Sequence, residues 1–226
     1  MIASVFRSAY GFFRKYWITL ILALMLTVGT TEALFGSRYP VVVIISGKND
    51  YVLTLLRLII LLAGVGMFEG ITVRLALREV QGDNTSLLRI VRQLLLRLPL
   101  IIIVELLSMI LVFAGVLALA IPGIIAIVWF ILVVQVAATE EQRGIINIFR
   151  RSRALVKGRF WQVLGSMLIV ITPFAVAYHI IGSAILEGGI VYGWENYGIS
   201  IVPVVGHLFI AIVGAFVYLE LSVSKK

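Results

Sequence analysis

The sequence predicts an all-α polytopic integral membrane protein with six transmembrane helices paired as three hairpins, each preceded by a cytoplasmic amphipathic interfacial helix. Three observations predict it. Hydrophobic residues make up 62% of the chain and charged residues 13%, and the mean hydropathy is +1.12, a balance outside that of soluble domains. Six apolar stretches, at 17–35, 52–75, 98–119, 121–138, 160–185 and 199–221, are each close to the ~20 residues a helix needs to cross hydrocarbon. A bulky apolar pair followed by arginine recurs at Val5-Phe6-Arg7, Leu87-Leu88-Arg89 and Ile148-Phe149-Arg150, and each copy opens a basic amphipathic stretch leading into an apolar one.

The first stretch sets Ile2, Val5, Phe6, Ala9, Phe12, Phe13 and Tyr16 at helical spacing beside Arg7, Arg14 and Lys15, as an interfacial helix requires. The apolar run at 17–35 is longer than a signal peptide's apolar core and no small-residue cleavage site follows it, so it reads as the first span. In the second span, Gly66 and Gly70 form a G-x-x-x-G spacing that admits another helix closely. The second copy repeats the stripe as Leu87, Leu88, Val91, Leu94, Leu95 and Leu98. Asn84-Thr85-Ser86 before it matches a glycosylation acceptor, but on the expected cytoplasmic side it reads as a helix N-cap. Pro122-Gly123 supplies a tight turn between the third and fourth spans. The third copy carries Ile148, Phe149, Ser152, Leu155 and Val156, and Pro173 and Pro203 predict kinks in the last two spans. The segment 187–197, with Tyr192 and Trp194, suits the headgroup belt. The whole chain, 1–226, reads as one membrane domain with approximate units 1–83, 84–143 and 144–226. True duplication and the shared grammar of bilayer-bound helices both account for the likeness.

Sixteen of the nineteen lysines and arginines fall on one side of this topology, which predicts a multi-pass plasma (cell inner) membrane protein with both termini cytoplasmic. The same placement accounts for the net charge of +8, and no aromatic stacking platform accompanies it, so nucleic acid is not an expected partner. Arg7, Arg89, Arg150, Arg151, Arg153 and Lys157 are candidate contacts for anionic lipid. They read either as positive-inside anchors alone or as a surface that also recruits a lipid or protein partner.

Ionisable groups inside the spans are few, which makes each informative. Glu32 with Arg57, and Glu69 with Arg74, are candidate structural ion pairs. Glu105 has no basic partner on its own helix, and Gln135 falls at a comparable depth across the tight turn. A neutral, hydrogen-bonded Glu105 and a polar pathway continued by His207 and His179 are the alternatives. Glu220 lies where it can join the arginines. The chain has no cysteine and two histidines, with no H-E-x-x-H, P-loop or G-x-S-x-G pattern. The expectation is therefore a non-enzyme with no catalytic residue, metal or cofactor; Gly165-Ser166 is too common a pair to mark a nucleophile.

The run Pro122-Gly123, Trp129, Glu140-Glu141, Arg151-Ser152, Leu155 and Lys157-Gly158-Arg159-Phe160-Trp161 resembles the central signature of a prokaryotic family of six-helix membrane proteins. These include the YciC-like proteins and the membrane region fused to some glycerophosphodiester phosphodiesterases. The resemblance covers about 40 residues and implies the membrane fold, without phosphodiesterase activity and without any catalytic residue to transfer. The expected role is a membrane-organising or accessory component contacting anionic lipid or a membrane protein partner; the alternative is a small permease or exporter for a lipid, peptide or hydrophobic solute.

Overall fold

The computed structural model describes residues 1–35, 51–140, 144–187 and 195–223, and within them the side chains of 1–22, 52, 55, 56, 58–140, 144–180 and 205–222. Among these residues the only regular structure is helix: α1 (Ile2–Phe35), α2 (Tyr51–Gln81), α3 (Leu87–Ala118), α4 (Ala120–Phe130), α5 (Val133–Thr139), α6 (Ile145–Val156), α7 (Phe160–Glu187) and α8 (Glu195–Val223). Five helical stretches are long and apolar enough to cross a membrane: Leu58–Gln81, Leu87–Ala118, Ala120–Thr139, Phe160–Ile180 and Val205–Ser222. They suggest a multi-pass membrane protein. The expected first span is the second half of α1, whose side chains lie mostly outside the described set. Most of the expected headgroup-belt segment also lies outside the described residues, as do Arg143, Lys225 and Lys226.

The centre of the bundle is built by α2, α5 and the inner part of α8, where Phe68, Val73, Leu132, Ile212 and Val217 are fully enclosed. In contrast, α3 and α7 display long apolar faces such as Leu96, Phe113, Ile169 and Ile180, the surface expected where lipid is the solvent. The Gly66/Gly70 spacing performs the packing it predicts. A Cβ at Gly66 would stand 2.4 Å from Ile101 Cγ2, and one at Gly70 2.9 Å from Leu94 Cδ2, so side chains of α3 occupy the space that a larger residue at either glycine would need.

The three expected surface helices are not equivalent. α1 and α3 continue without interruption into their apolar halves, α3 even through Pro99. Only the third copy stands as its own helix, α6, closed by Gly158 at φ +89°, a left-handed conformation suited to glycine. The first and third apolar stripes face inward instead of toward acyl chains: Val5, Ala9 and Phe12, then Ile148, Leu155 and Val156 are buried in one core, whereas the second is divided, with Leu94 buried and Leu87, Leu88 and Leu95 exposed. Burial against neighbouring helices satisfies the same periodicity that predicts lipid contact, which is why the pattern does not tell the two apart.

Two further corrections concern the fourth span. The reversal after α3 is made at Leu119, extended at φ −170°, while Pro122 sits in the first turn of α4, where a missing N–H is harmless. Gly123 lies against Gly115 and Val116 and lets the two chain directions cross closely. The span itself is broken between α4 and α5 at Ile131 and Leu132. No proline or glycine announces that break, whereas the helix α7 runs through Pro173. Ser152 of α6 compensates for it, donating to the Trp129 carbonyl at 2.7 Å in the last turn of α4, where intrahelical partners run out.

Candidate functional site

α5 is only seven residues long, and Val133 to Ala138 are all buried, so its last carbonyls need partners from elsewhere. Two arginines supply them. Arg97 donates from one guanidinium nitrogen to the carbonyls of Ala137 at 3.2 Å and Glu140 at 2.6 Å, and Arg74 Nε donates to Ala138 O at 2.8 Å. Cations at a helix C-terminus also meet the negative end of its dipole. The Glu140 carboxylate accepts from Arg151 Nε at 3.0 and 3.1 Å and from Tyr218 at 3.2 Å, while the Thr139 hydroxyl lies 2.8 Å from Tyr218 Oη. At the same end Lys15 pairs with Glu79 at 2.7 Å and ties α1 to α2. The Glu79 carboxylate holds the Lys15 pKa above its ordinary value; partial burial, with that carboxylate, pushes the Tyr16 phenol up.

This network alters two expectations. Glu69 and Arg74 form no ion pair, because Arg74 reaches the Ala138 carbonyl and, at 3.2 Å, Gln93 Oε1. Arg151, expected on an anionic lipid, is committed to Glu140. Of the other candidate lipid contacts, Arg7, Arg89, Arg150, Arg153 and Lys157 are exposed and form no ion pair among the described residues; Arg153 lies 4.0 Å over the Trp129 ring. Glu220 likewise pairs with no arginine among the described residues. The side chains of Glu32 and Arg57 lie outside the described set.

Deeper in the bundle, four helices place a second polar group together. Glu69 of α2 accepts from Gln135 Nε2 of α5 at 3.3 Å, and its other oxygen lies 3.7 Å from His207 Nε2 of α8, too far for a hydrogen bond. Glu105 of α3 is within electrostatic range of Glu69 and lies beside Gly66. Its Oε2, Gln135 Oε1 and His207 Nε2 are buried without a hydrogen-bond partner among the described residues. The expected Glu105–Gln135 contact is therefore replaced by Glu69–Gln135, and Glu69 joins the group as a member that sequence reasoning assigned to Arg74. Glu105 and Ser108 are the polar residues of an otherwise apolar groove of about 530 Å³ between α2, α3, α4 and the α4–α5 break.

His179 does not belong to this cluster. On α7 the inward face is Val163, Met167 and Val170, whereas His179 shares the outward face with Ile171, Thr172, Ala175 and Val176. Ser166 is buried and donates to Gln162 O at 2.8 Å, an ordinary bond to the preceding turn. No group of three His, Cys, Asp or Glu among the described residues is arranged to hold a metal.

Part of the expected family signature meets at one structural junction: Ser152 on the Trp129 carbonyl, Arg151 on Glu140 and Leu155 in the core, with Arg153, which is not part of the signature, over the Trp129 ring. Their work in this chain is to hold α6 on the broken span. No protein-family model, curated protein or solved structure matches the chain.

Proposed function

We propose that this chain is a non-enzymatic, multi-pass membrane protein that engages anionic lipid through its basic end and serves as a membrane-organising or accessory component. The observation that carries the reading is the division of labour among the cations. Arg74, Arg97 and Arg151 hold the fold together from inside, while Arg7, Arg89, Arg150 and Lys157 stay exposed without an ion pair among the described residues. Unpaired cations at the headgroup level attract anionic lipid at about 1 kcal/mol each. Topologically, the reading comprises six spans in three hairpins with both termini cytoplasmic, and it includes the resemblance to the YciC-like proteins, carried by the 122–161 stretch. Reconstitution of the full chain with R7Q, R89Q and R150Q combined tests it. Enrichment of phosphatidylglycerol over phosphatidylcholine around the protein, and recovery of any co-purifying membrane partner, should both fall; unchanged values would sink the reading.

The three partnerless atoms of the deeper cluster favour a second reading, a small permease for a lipid or hydrophobic solute, since intramembrane ionisable groups commonly mark transport paths. The chain is free of cysteine, so single cysteines at Glu105, Gln135 and His207 report access without background. Labelling by a membrane-impermeant thiol reagent from one face supports a pathway. Protection from both faces rejects it.

A further inference from the structure

Where α2 hands over to α3, two helix faces meet across a short turn. Arg74 and Arg78 are one helical turn apart on α2, as are Arg89 and Gln93 on α3, so each pair stands on one face of its helix. Together with Asp83 and Thr85 these four residues line a cleft of about 240 Å³. The cleft holds three guanidinium groups and one carboxylate. Asp83 does not neutralise them: its carboxylate accepts from the Thr85 hydroxyl and makes no ion pair with any of the three arginines. Each guanidinium carries five N–H donors. Arg78 directs one nitrogen to the Thr85 carbonyl at 3.1 Å, and Arg74 is held by Ala138 O and Gln93. These bonds fix the forks in place and leave further donors open to a ligand.

We propose that this cleft binds one phosphoryl group, with Arg74, Arg78 and Arg89 as its donors. The inference rests on the reading of the basic end as an anionic-lipid surface and narrows it to one saturable site. Planar forks recognise phosphate by paired, charge-assisted hydrogen bonds. The volume lies below the ~300–1,000 Å³ of drug-sized pockets, which suits a headgroup and excludes acyl chains from the cleft. The chains have a course of their own: Leu96, seven residues after Arg89, continues the same face of α3 toward its apolar part and is exposed. A phospholipid is thus accommodated with its phosphate in the cleft and a chain along Leu96, and free phosphate shares the same recognition chemistry.

The test uses the full chain in mild detergent, with native mass spectrometry to count retained lipid and thermal unfolding to follow stability. Wild type should retain one phosphatidylglycerol per chain through delipidation, and R78Q/R89Q should bind it about tenfold more weakly or worse. The control R14Q, at an exposed arginine outside both the cleft and the proposed lipid contacts, should keep the retained molecule. Arg74 is left intact because it also caps α5; if R78Q/R89Q does not fold, R89Q alone gives the measurement, since the Arg89 side chain bonds to no other described residue. A rise in the unfolding midpoint with phosphatidylglycerol but not with inorganic phosphate identifies the lipid as the source, and an equal rise with both identifies the free anion. Unchanged retention by R89Q overturns the cleft. If retention falls in R7Q/R150Q but not in R89Q, the cleft is wrong while the broader reading stands; equal retention of phosphatidylcholine and phosphatidylglycerol by wild type removes both.

Discussion

At the last turn of α5, Thr139, Glu140, Arg97, Arg151 and Tyr218 close a network in which each side chain finds a partner. One turn earlier on the same helix, Gln135 leaves its side-chain carbonyl oxygen buried and without a partner among the described residues, as do Glu105 and His207 with one atom each. Both regions are polar, both sit among four or more helices, and they are separated by about 6 Å of helical rise. A closed network rigidifies the elements that meet in it, whereas partly satisfied groups retain a desolvation penalty that a ligand, water or rearrangement can relieve. The outer network therefore belongs to the fold. The inner cluster is the region where the bundle keeps unused hydrogen-bonding capacity.

If that contrast is real, substitutions in the closed network should be the damaging ones. The largest effect is expected for Arg97→Met, which strips the carbonyls of Ala137 and Glu140 of their donor; charged hydrogen bonds contribute ~1.5–3 kcal/mol each, so a loss of about 3 kcal/mol should appear in reversible unfolding in mixed micelles. Ser152→Ala comes next. It leaves the Trp129 carbonyl without its donor at the α4–α5 break, a loss of about 2 kcal/mol with earlier proteolysis around α6 as an independent readout. Tyr218→Phe should be milder, about 1 kcal/mol, because Glu140 keeps its bonds from Arg151. An Arg97→Met protein as stable as wild type would break the comparison at its strongest point.

Hydropathy made five helices of membrane-spanning length legible, and the G-x-x-x-G spacing marked a close approach on α2, though not that α3 would make it. Those signals depend on local composition and period, which one chain segment carries by itself. The stretch Asn84-Thr85-Ser86, read as a helix cap, supplies it at Ser86, whose side chain accepts from Arg89 N at the start of α3. The break at Ile131 was not legible, since neither Ile131 nor Leu132 is a helix breaker and the compensating donor, Ser152, is 23 residues away from Trp129. Nor did periodicity reveal that Arg74 and Arg97 would turn to the same buried helix end. A basic residue near a span reads first as a topological anchor, and only the packing shows which ones were drawn into carbonyl caps. The inner cluster was half legible: Glu105, Gln135 and His207 stand out as polar residues in apolar runs, but the membership of Glu69 depends on which face of α2 meets α5 and α8.

The smallest effect, and the sharpest use of the contrast, is expected at Glu105. Its carboxyl forms no hydrogen bond among the described residues, and Oε2 lies 2.9 Å from where a Gly66 Cβ would be, so its removal breaks no hydrogen bond there. Replacing a buried ionisable group by an apolar one of similar size is often neutral or stabilising, and Glu105→Leu should leave unfolding within about 1 kcal/mol of wild type or raise it by that much. Glu105→Gln keeps the shape and separates packing from polarity. If both variants are as stable as wild type, Glu105 is retained for something other than holding the bundle, and its place on the wall of the α2–α3–α4 groove makes ligand contact the reason to pursue. If Glu105→Leu instead loses as much as Arg97→Met, Glu105 is a structural member like the others, and the division between a closed outer network and an open inner cluster fails.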